Sequence, residues 1–475
     1  MPIPKEILAV KRPKSTIVKA TKKPGIYSVI KRTSRYIPGK KNPHPVELGV
    51  IGKIINGVYV SNPEKNKTEV DFKIYGPVAL CNKVGSEIFD DLLRFYQLDD
   101  ARKIYAMAIL RCIDSELKNE DVKVEYETSY LSEMMPGVAL SANTISALLE
   151  RIGKKLSTIT AFMNDRIQQY SGNPTVIDGM LKNNSSSTNT FSEFSRKGRV
   201  KGTEDVSLMY AYDLNMQEPV ACMAYPGNML DFTAFTDFIN THPINNGFTI
   251  LDKGFDNAKC KQAIAKLNSK YIILLKISST LITKYELDCK YDHNFKYDED
   301  CIRCKKVKTS SGIYYYAFKS SEMKAMQDKG YVDRAFRKGT FADEAYSKKE
   351  SKFGLIVFES NADLQLEQVY RAYKQRWEIE TLFNNYKNII ELDTVNVQGN
   401  YRLFATEFIN FISAIISMKI KKLLNQTGIN KKFTQKQVFR LLSKYAKKRN
   451  VKNPDTWCDC SLLKYITELY SILEI

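Results

Sequence analysis

Between residues 174 and 278 the sequence alternates short β-rich runs with helical runs, and this order limits the chain to few fold classes. The runs PTVIDGM, VSLMYAYDLN and EPVACMAYPGN predict three strands. A helix (229–241), the strand GFTILDKGF, a second helix and the strand YIILLKIS follow them. Strands interleaved with helices build a sheet that helices cover. We therefore predict an α/β fold for this part of the chain.

Two aspartates lie in these strands, where most side chains are expected to be buried. Asp178 is in TVIDGM, and Asp252 follows FTIL just before Gly254. An acid in such a position is costly unless it is paired or binds a cation. Two acids at neighbouring strand ends offer the oxygen ligands that Mg²⁺ and Mn²⁺ prefer. Each aspartate alone could instead cap the turn after its strand, and we interpret Asp213 in YAYDLN as such a turn residue.

A third acid comes from the segment YKQRWEIETLFNNYK (373–387), which is predicted to be one helix. At about 100° per residue, four of its polar residues share a stripe roughly 60° wide that borders the apolar face. These residues are Tyr373, Arg376, Glu380 and Lys387. The stripe can present Glu380 to the two aspartates. The alternative is an ordinary Arg–Glu pair on a solvated face.

Taken together, these motifs resemble the DDE transposases of bacterial insertion sequences, in the group with a Y-R-E-K signature. That signature is Tyr, two residues, Arg, three residues, Glu, six residues and Lys, and the stripe matches it without a gap. VIDGM is similar to the D-G-T strand of the first acid, with Met180 in place of Thr, and LDKGFDN is similar to the strand of the second acid. The resemblance covers residues 174–425 and includes a long insertion before the glutamate helix.

The resemblance implies an RNase H-like core, a mixed five-stranded sheet with flanking helices that a β-rich insertion interrupts. It implies cut-and-paste transposition with two Mg²⁺ or Mn²⁺ ions, in which terminal inverted repeats are cleaved, a hairpin intermediate forms and the end is transferred into target DNA. The catalytic and metal-binding residues would be Asp178, Asp252 and Glu380. The DNA-binding residues would be Tyr373, Arg376 and Lys387. The alternatives are a nuclease that only hydrolyses DNA and a DNA-binding protein whose acids are structural.

The charge of the chain suits a polyanionic partner. It has 72 Lys and Arg against 53 Asp and Glu, and residues 1–45 hold twelve of the cations and a single acid, Glu6. We expect double-stranded DNA as the partner, with an anionic membrane surface as the alternative. A homodimer on paired transposon ends and a bacterial cytoplasmic location at the nucleoid are further expectations. No membrane span is predicted, because the most apolar stretch (404–418) contains Glu407 and Asn410 and is shorter than about 20 residues.

Six regions are predicted along the chain. They are a basic β-rich segment (1–84), a helical DNA-binding domain (85–172), the first part of the core (173–278), the β-rich insertion (279–362), the second part of the core with the glutamate helix (363–425), and a C-terminal helical region (426–475). The helix at 141–156, with Ser141 as its N-cap, is either the recognition helix of a helix-turn-helix or part of an ordinary helical hairpin. A C-terminal helix at 433–448 is predicted to begin with a capping box of Thr434 and Gln437.

The nine cysteines have irregular spacing, which is typical of reduced thiols in the cytosol. One cluster has the spacing C-x₃-H-x₇-C-x₂-C, which could close a structural Zn²⁺ site. Its members are Cys289, His293, Cys301 and Cys304. Acids within this segment and the pattern of the resembling family argue against zinc, and we expect free thiols there.

Overall fold

The structure is a computed structural model of the whole chain. It describes residues 3–35, 43–61, 70–114, 116–184, 186, 188–195, 204–244, 247–267, 269–384, 394–395, 397–450, 453–460 and 462–475. The chain forms two compact units, Met1–Asp71 with Lys448–Cys458 and Phe72–Lys447 with Asp459–Ile475.

The smaller unit is built on an antiparallel sheet of four strands that pair in chain order. Its elements are α1 (Lys5–Leu8), β1 (Thr16–Ala20), β2 (Ile26–Arg35), β3 (His44–Ile55) and β4 (Val58–Ser61). Val18, Val29 and Ile54 form a small core on one side of the sheet. Lys19, Ser28 and Lys53, each next to one of these core residues, point to the other face, since side chains alternate between the two faces of a strand.

A helical region opens the larger unit. Its elements are β5 (Val70–Ile74), α2 (Gly76–Leu93), α3 (Leu98–Ile113), α4 (Val122–Thr128), α5 (Leu131–Met134), α6 (Ala142–Lys154) and α7 (Leu156–Gln169). The predicted N-cap of α6 is confirmed, because the Ser141 hydroxyl accepts a hydrogen bond from the Thr144 N–H at 3.3 Å. The apolar face of α6 is buried, and a Cβ on Gly153 would lie 1.7 Å from the Tyr401 carbonyl oxygen. Close helix packing therefore requires glycine at this position.

The central sheet follows the predicted order of strands and helices. Its elements are β6 (Thr175–Asn184), β7 (Glu193–Phe194), β8 (Glu204–Asp213), β9 (Glu218–Pro226), α8 (Asp231–Thr241), β10 (Phe248–Leu251), α9 (Ala258–Lys266) and β11 (Lys270–Leu274). The strand order is β9–β8–β6–β10–β11, in which β8 is antiparallel to β9 and β6, and β10 is parallel to β6 and β11. The predicted mixed α/β arrangement is confirmed.

The insertion contains helices as well as the predicted strands. It contains α10 (Thr280–Lys284), β12 (His293–Tyr297), β13 (Asp300–Lys308), β14 (Tyr314–Ser320), α11 (Ser321–Arg337), α12 (Asp343–Glu350) and β15 (Leu355–Ser360). β15 pairs with both β11 and β14, so the strands β12–β15 extend the central sheet beyond β11. The two helices α11 and α12 were not predicted.

The remaining elements are mainly helical. They are α13 (Leu366–Gln375), α14 (Trp377–Asn384), β16 (Thr394–Val395), α15 (Asn400–Gln426), α16 (Gln435–Leu442), β17 (Ala446–Asn450), β18 (Asn453–Asp459) and α17 (Lys464–Leu473). The predicted capping box of Thr434 and Gln437 is confirmed. The predicted helix at 433–448 is too long, because the chain leaves it after Leu442 and forms β17.

Helix α15 explains the most apolar stretch of the sequence. In length and hydropathy it would suffice to cross a membrane, but 89% of its most apolar part is buried inside the protein. Glu407, which interrupts the stretch, is buried beside Lys182 of β6 at 2.7 Å. Its apolar sequence is therefore accounted for by its place in the core.

Candidate active site

The two predicted aspartates lie side by side in the central sheet. Thr249 and Ile250 of β10 pair in parallel with Thr175 and Val176 of β6. When this register is extended by two residues, past the end of β10, it aligns Asp252 with Asp178. The structure therefore brings together two acids that are 74 positions apart in the sequence.

Glu380 reaches the same place from a helix, but not from the single helix that the sequence predicts. α13 ends at Gln375 and α14 begins at Trp377. Arg376 lies between them with right-handed helical dihedrals (φ −52°, ψ −29°), and its N–H bonds to the carbonyls of both Ala372 and Tyr373. Because the backbone turn is kept, Arg376 and Glu380 still meet across one turn.

Arg376 connects the acids. Its Nη2 donates to Glu380 Oε1 at 3.2 Å, and its Nη1 lies 3.9 Å from Asp252 Oδ1. The Arg376 side chain is only 12% exposed. The solvated Arg–Glu pair that the sequence left open is therefore excluded, since this arginine is largely buried and faces a second carboxylate.

Tyr373 packs beside this cluster. Its ring contacts Phe358 of β15 at 4.8 Å between centroids, and the Arg376 guanidinium lies 5.8 Å from its centroid. Burial raises the pKa of Tyr373, Arg376 lowers it, and Asp252 and Glu380 raise it again. Lys387, the last residue of the predicted stripe, lies outside the described residues.

Asp178 is the most perturbed acid of the cluster. Burial raises its pKa from 3.8 to about 6, and the nearby carboxylates of Asp252 and Glu380 add to the increase. The Gly179 N–H, which donates to Asp178 Oδ1 at 2.8 Å, and Arg376 oppose it. Three carboxylates that repel one another beside a single arginine form a site that favours an additional positive charge.

The donor chemistry of this site fits a divalent cation. Carboxylate oxygens are the ligands that Mg²⁺ and Mn²⁺ take. Among the described residues, however, no three His, Cys, Asp or Glu side chains converge closely enough to coordinate one ion. The Arg376 guanidinium lies between two of the acids, so the carboxylates must turn toward each other if they are to share a metal.

The other sequence candidates lie away from this site or have structural roles. The Asp213 carboxylate accepts hydrogen bonds from the N–H groups of Asn215 and Met216 at 2.9 and 2.7 Å, so its prediction as a turn residue is confirmed. Cys301 and Cys304 are three residues apart on β13, where the first is exposed and the second is buried. Strand geometry thus directs these two thiols to opposite faces, and only Cys304 lies opposite His293 on β12.

Sequence reasoning did not name Asp231. This acid stands in the first turn of α8 and lines a cavity of about 520 Å³ that Asp178 also lines. Phe194 and Phe255 supply part of its apolar wall. In the sequence, Asp231 reads as an ordinary acid at a helix N-terminus, where it complements the helix dipole. Only the packing of α8 against the sheet places it at the cavity that Asp178 lines.

The charge on Asp178 should oppose folding at neutral pH. Its folded pKa of about 6 exceeds the reference of 3.8, so the folded protein binds this proton more tightly than the unfolded chain. The corresponding stability is present below pH 4 and is lost as the pH rises through 6. In EDTA, Asp178→Asn should raise the free energy of unfolding at pH 8 by about 1–3 kcal/mol and change it little at pH 4, as urea denaturation can measure.

Asp252→Asn is the matched control for this prediction. It removes the contact with Arg376 and should therefore give no such gain at pH 8. Equal stabilisation by both substitutions, or a gain for Asp178→Asn that does not change with pH, would contradict the assignment.

A comparison with known protein families identifies the domain that contains this cluster. The sequence profile of the family described as "Transposase DDE domain" matches residues 176–415, just over half of the chain. The chain belongs to the DDE transposase domain family. The matched range contains Asp178, Asp252 and Glu380, together with Tyr373 and Arg376.

Comparisons with curated sequences and with solved structures add no family assignment. No curated protein sequence matches the chain significantly. A solved structure that is similar, with 10% identical residues and a TM-score of 0.39, is that of the piggyBac transposase synaptic complex with hairpin DNA. The similarity covers 84% of this chain and 85% of that chain.

Proposed function

We propose that the protein is a cut-and-paste DNA transposase whose catalytic acids are Asp178, Asp252 and Glu380. The observation that carries the proposal is the pairing of β6 with β10, which brings Asp178 of β6 near Asp252 just after β10, with Arg376 paired to Glu380 and 3.9 Å from Asp252. The mixed five-stranded sheet supports an RNase H-like core. Membership of the DDE transposase domain family supports the reaction class.

The three acids would hold two divalent ions, Mg²⁺ or Mn²⁺. Such ions supply Lewis-acid stabilisation of the phosphoryl oxygens and lower the pKa of bound water. The chain supplies the rigid part of the site, since Asp178 is paired with Tyr210 of β8 in the sheet and Asp252 directly follows β10. We expect Arg376 to contact a phosphate of the bound DNA while it orients Glu380, because a guanidinium can donate to several oxygens at once.

Several finer features belong to the same proposal. The Y-R-E-K spacing of Tyr373, Arg376, Glu380 and Lys387 supports assignment to the corresponding group of bacterial insertion-sequence transposases. We further propose that the enzyme forms a hairpin intermediate, acts as a homodimer on paired terminal inverted repeats, and works at the bacterial nucleoid.

A strand-transfer assay tests the proposed function. The purified chain is incubated with Mg²⁺, an end-labelled fragment from the flanks of its gene, and a supercoiled target plasmid. A transposase gives a nick at the element end and a labelled product joined to the plasmid. A nuclease gives the nick without the joined product, and a DNA-binding protein gives neither, so each of these two results would reject the proposal.

The basic smaller unit is predicted to contact DNA phosphates. Lys31, Arg32 and Lys53 are exposed on its sheet. Binding of a labelled duplex should weaken steeply with salt, and glutamine at all three positions should reduce the slope of log K against log salt by about 0.9 for each phosphate contact that is lost. Fluorescence anisotropy across a salt series measures the slope.

A paired substitution controls for folding and net charge. Lys19→Gln with Glu47→Gln removes an exposed ion pair of 2.7 Å on the same sheet without changing the net charge. The slope of log K against log salt for this double variant should equal that of the wild type. An unchanged slope in the triple variant would show that these three cations do not contact DNA.

A further inference from the structure

An apolar cavity lies in the larger unit, distinct from the cavity that Asp178 lines. Its volume is about 390 Å³, and its wall is formed mainly by α7, β9, α8 and the first half of α15. A cavity of about 150 Å³ with leucine, isoleucine and phenylalanine walls stays free of water and binds a benzene ring. The cavity in this protein therefore has room for a molecule of two fused rings.

The wall of this cavity is both adaptable and aromatic. Phe191 meets Phe404 edge to face there, with 5.1 Å between ring centroids. Three methionines also line the cavity, namely Met163, Met223 and Met229. Methionine side chains adjust their shape to irregular surroundings, and their sulfur atoms make favourable contacts with aromatic rings. A flat aromatic molecule is therefore the apolar ligand that this wall suits best.

One polar ring belongs to this apolar wall. His242 is only 2% exposed, and its Nδ1 lies 2.7 Å from Asn164 Oδ1. Asn164 Nδ2 donates to the Thr241 carbonyl at 3.0 Å, which fixes the amide so that its oxygen accepts from the Nδ1–H of His242. Burial lowers the pKa of His242 to about 4, so the ring is neutral at pH 7 and its Nε2 carries a lone pair.

This lone pair on Nε2 has no hydrogen-bond partner within the part of the chain that the structure describes. Asn164, on the Nδ1 side of the ring, is not part of the cavity wall, so the opposite edge of the His242 ring faces the cavity. A buried acceptor that lacks a donor is unfavourable. A molecule in the cavity that donates one hydrogen bond would satisfy it.

The charged groups of the wall favour a neutral molecule. Glu407 is paired with Lys182 at 2.7 Å. Asp237 is exposed at the mouth of the cavity, where its Oδ2 accepts the Tyr225 hydroxyl at 3.1 Å. Burial raises the pKa of the Cys222 thiol, which keeps it uncharged. Among the described residues, the inner wall thus offers no unpaired charge to offset that of an ion.

We propose that this cavity binds a small, neutral aromatic molecule of the indole class, whose N–H donates to Nε2 of His242. The methionines and phenylalanines bury the fused rings, and the single acceptor sets their orientation, as a few polar groups do in most small-molecule sites. The proposal concerns a site apart from the three acids and does not depend on the proposed function.

Isothermal titration calorimetry of the full chain with indole and with benzofuran tests the proposal. Benzofuran has nearly the same size and shape as indole, but an oxygen atom takes the place of the N–H. The wild type should bind indole about tenfold more tightly, because benzofuran leaves Nε2 buried without a donor. His242→Phe keeps a ring beside Phe238 and lacks the acceptor, so it should bind the two compounds equally.

A substitution that fills the cavity tests where indole binds. Thr160 lines the cavity from α7, and Thr160→Phe should abolish binding of both compounds. Ala161→Phe is the matched control, because Ala161 is the next residue, is exposed and is not part of the wall. This control should bind indole as the wild type does. Circular dichroism verifies that each variant folds.

Three results would overturn the proposal. They are the absence of indole binding by the wild type, equal affinity of the wild type for indole and benzofuran, and wild-type affinity of a folded Thr160→Phe for indole. The first two need no variant, so they decide the matter even where a substitution prevents folding. A chain that fails to join DNA in the strand-transfer assay yet prefers indole would lose the proposed function and keep this site.

Discussion

Alanine at Asp178, Asp252 or Glu380 should each abolish DNA cleavage while leaving DNA binding largely intact. The three carboxylates interact with one another and with one arginine, so no other acid of the cluster can replace the one removed. Loss of a divalent ion removes several kcal/mol of transition-state stabilisation, and each 1.4 kcal/mol is about a tenfold change in rate. We therefore expect cleavage to fall by about three orders of magnitude or more in a nicking assay with labelled DNA.

Glu378→Ala is the control for this series. Glu378 is on the same helix, two residues before Glu380, but it faces Lys421 of α15 at 3.7 Å. Its removal should leave nicking within a few-fold of the wild type. If Glu378→Ala were inactive and Glu380→Ala active, Glu378 would be the catalytic acid of this helix and our assignment of Glu380 would be wrong.

The second large effect is expected at Arg376. Its guanidinium reaches Glu380 and approaches Asp252, whereas a lysine ammonium is a single point charge that cannot serve both. Arg376→Lys should therefore lower the cleavage rate about 10- to 100-fold although the charge is kept, which corresponds to about 1.4–2.8 kcal/mol of transition-state stabilisation.

Glu380→Asp should raise the Mg²⁺ concentration for half-maximal nicking, because the shorter side chain withdraws from the ion.

A Mg²⁺ titration separates the two roles of Arg376. If it mainly positions Glu380, Arg376→Lys shifts the Mg²⁺ requirement as Glu380→Asp does. If it mainly contacts phosphate, the requirement stays and DNA affinity in EDTA falls. Arg371→Lys is the matched control, because Arg371 pairs with Glu367 at 2.6 Å in an exposed i,i+4 pair of α13. If Arg376→Lys had the cleavage rate, the DNA affinity and the Mg²⁺ requirement of the wild type, both roles would be contradicted.

Local signals in the sequence were sufficient to single out residues that the structure brings together. A buried strand makes an acid such as Asp178 conspicuous, and helical spacing links Arg376 to Glu380 even though the helix is interrupted at Arg376. Capping chemistry at Ser141 and Thr434 is also local, since it joins residues three apart.

Long-range pairing explains what the sequence did not predict. The sequence assigns residues 355–360 to the insertion, because the strand–helix order of the core does not return in that charged, Tyr-rich segment, yet β15 pairs with β11 in the sheet. The segment 446–450 has a helical composition, but it is a strand, and the Tyr445 carbonyl just before it accepts the N–H of Tyr75 at 2.8 Å. Tertiary hydrogen bonds outweigh weak local preferences at such positions. Neither the partner strand nor the register can be read from the segment alone.

Metal-directed cleavage of the protein itself tests the central claim most directly, because it needs no knowledge of the DNA ends. Fe²⁺ can replace Mg²⁺ at oxygen-rich sites, and with ascorbate and peroxide it cuts the backbone close to where it binds. We expect backbone cuts near residues 178, 252 and 380. An excess of Mn²⁺ should suppress these cuts, and Asp178→Ala should abolish all three at once. Cuts at only one of these places, or cuts confined to residues 289–304 that Asp178→Ala leaves unchanged, would contradict a metal centre formed by the three acids.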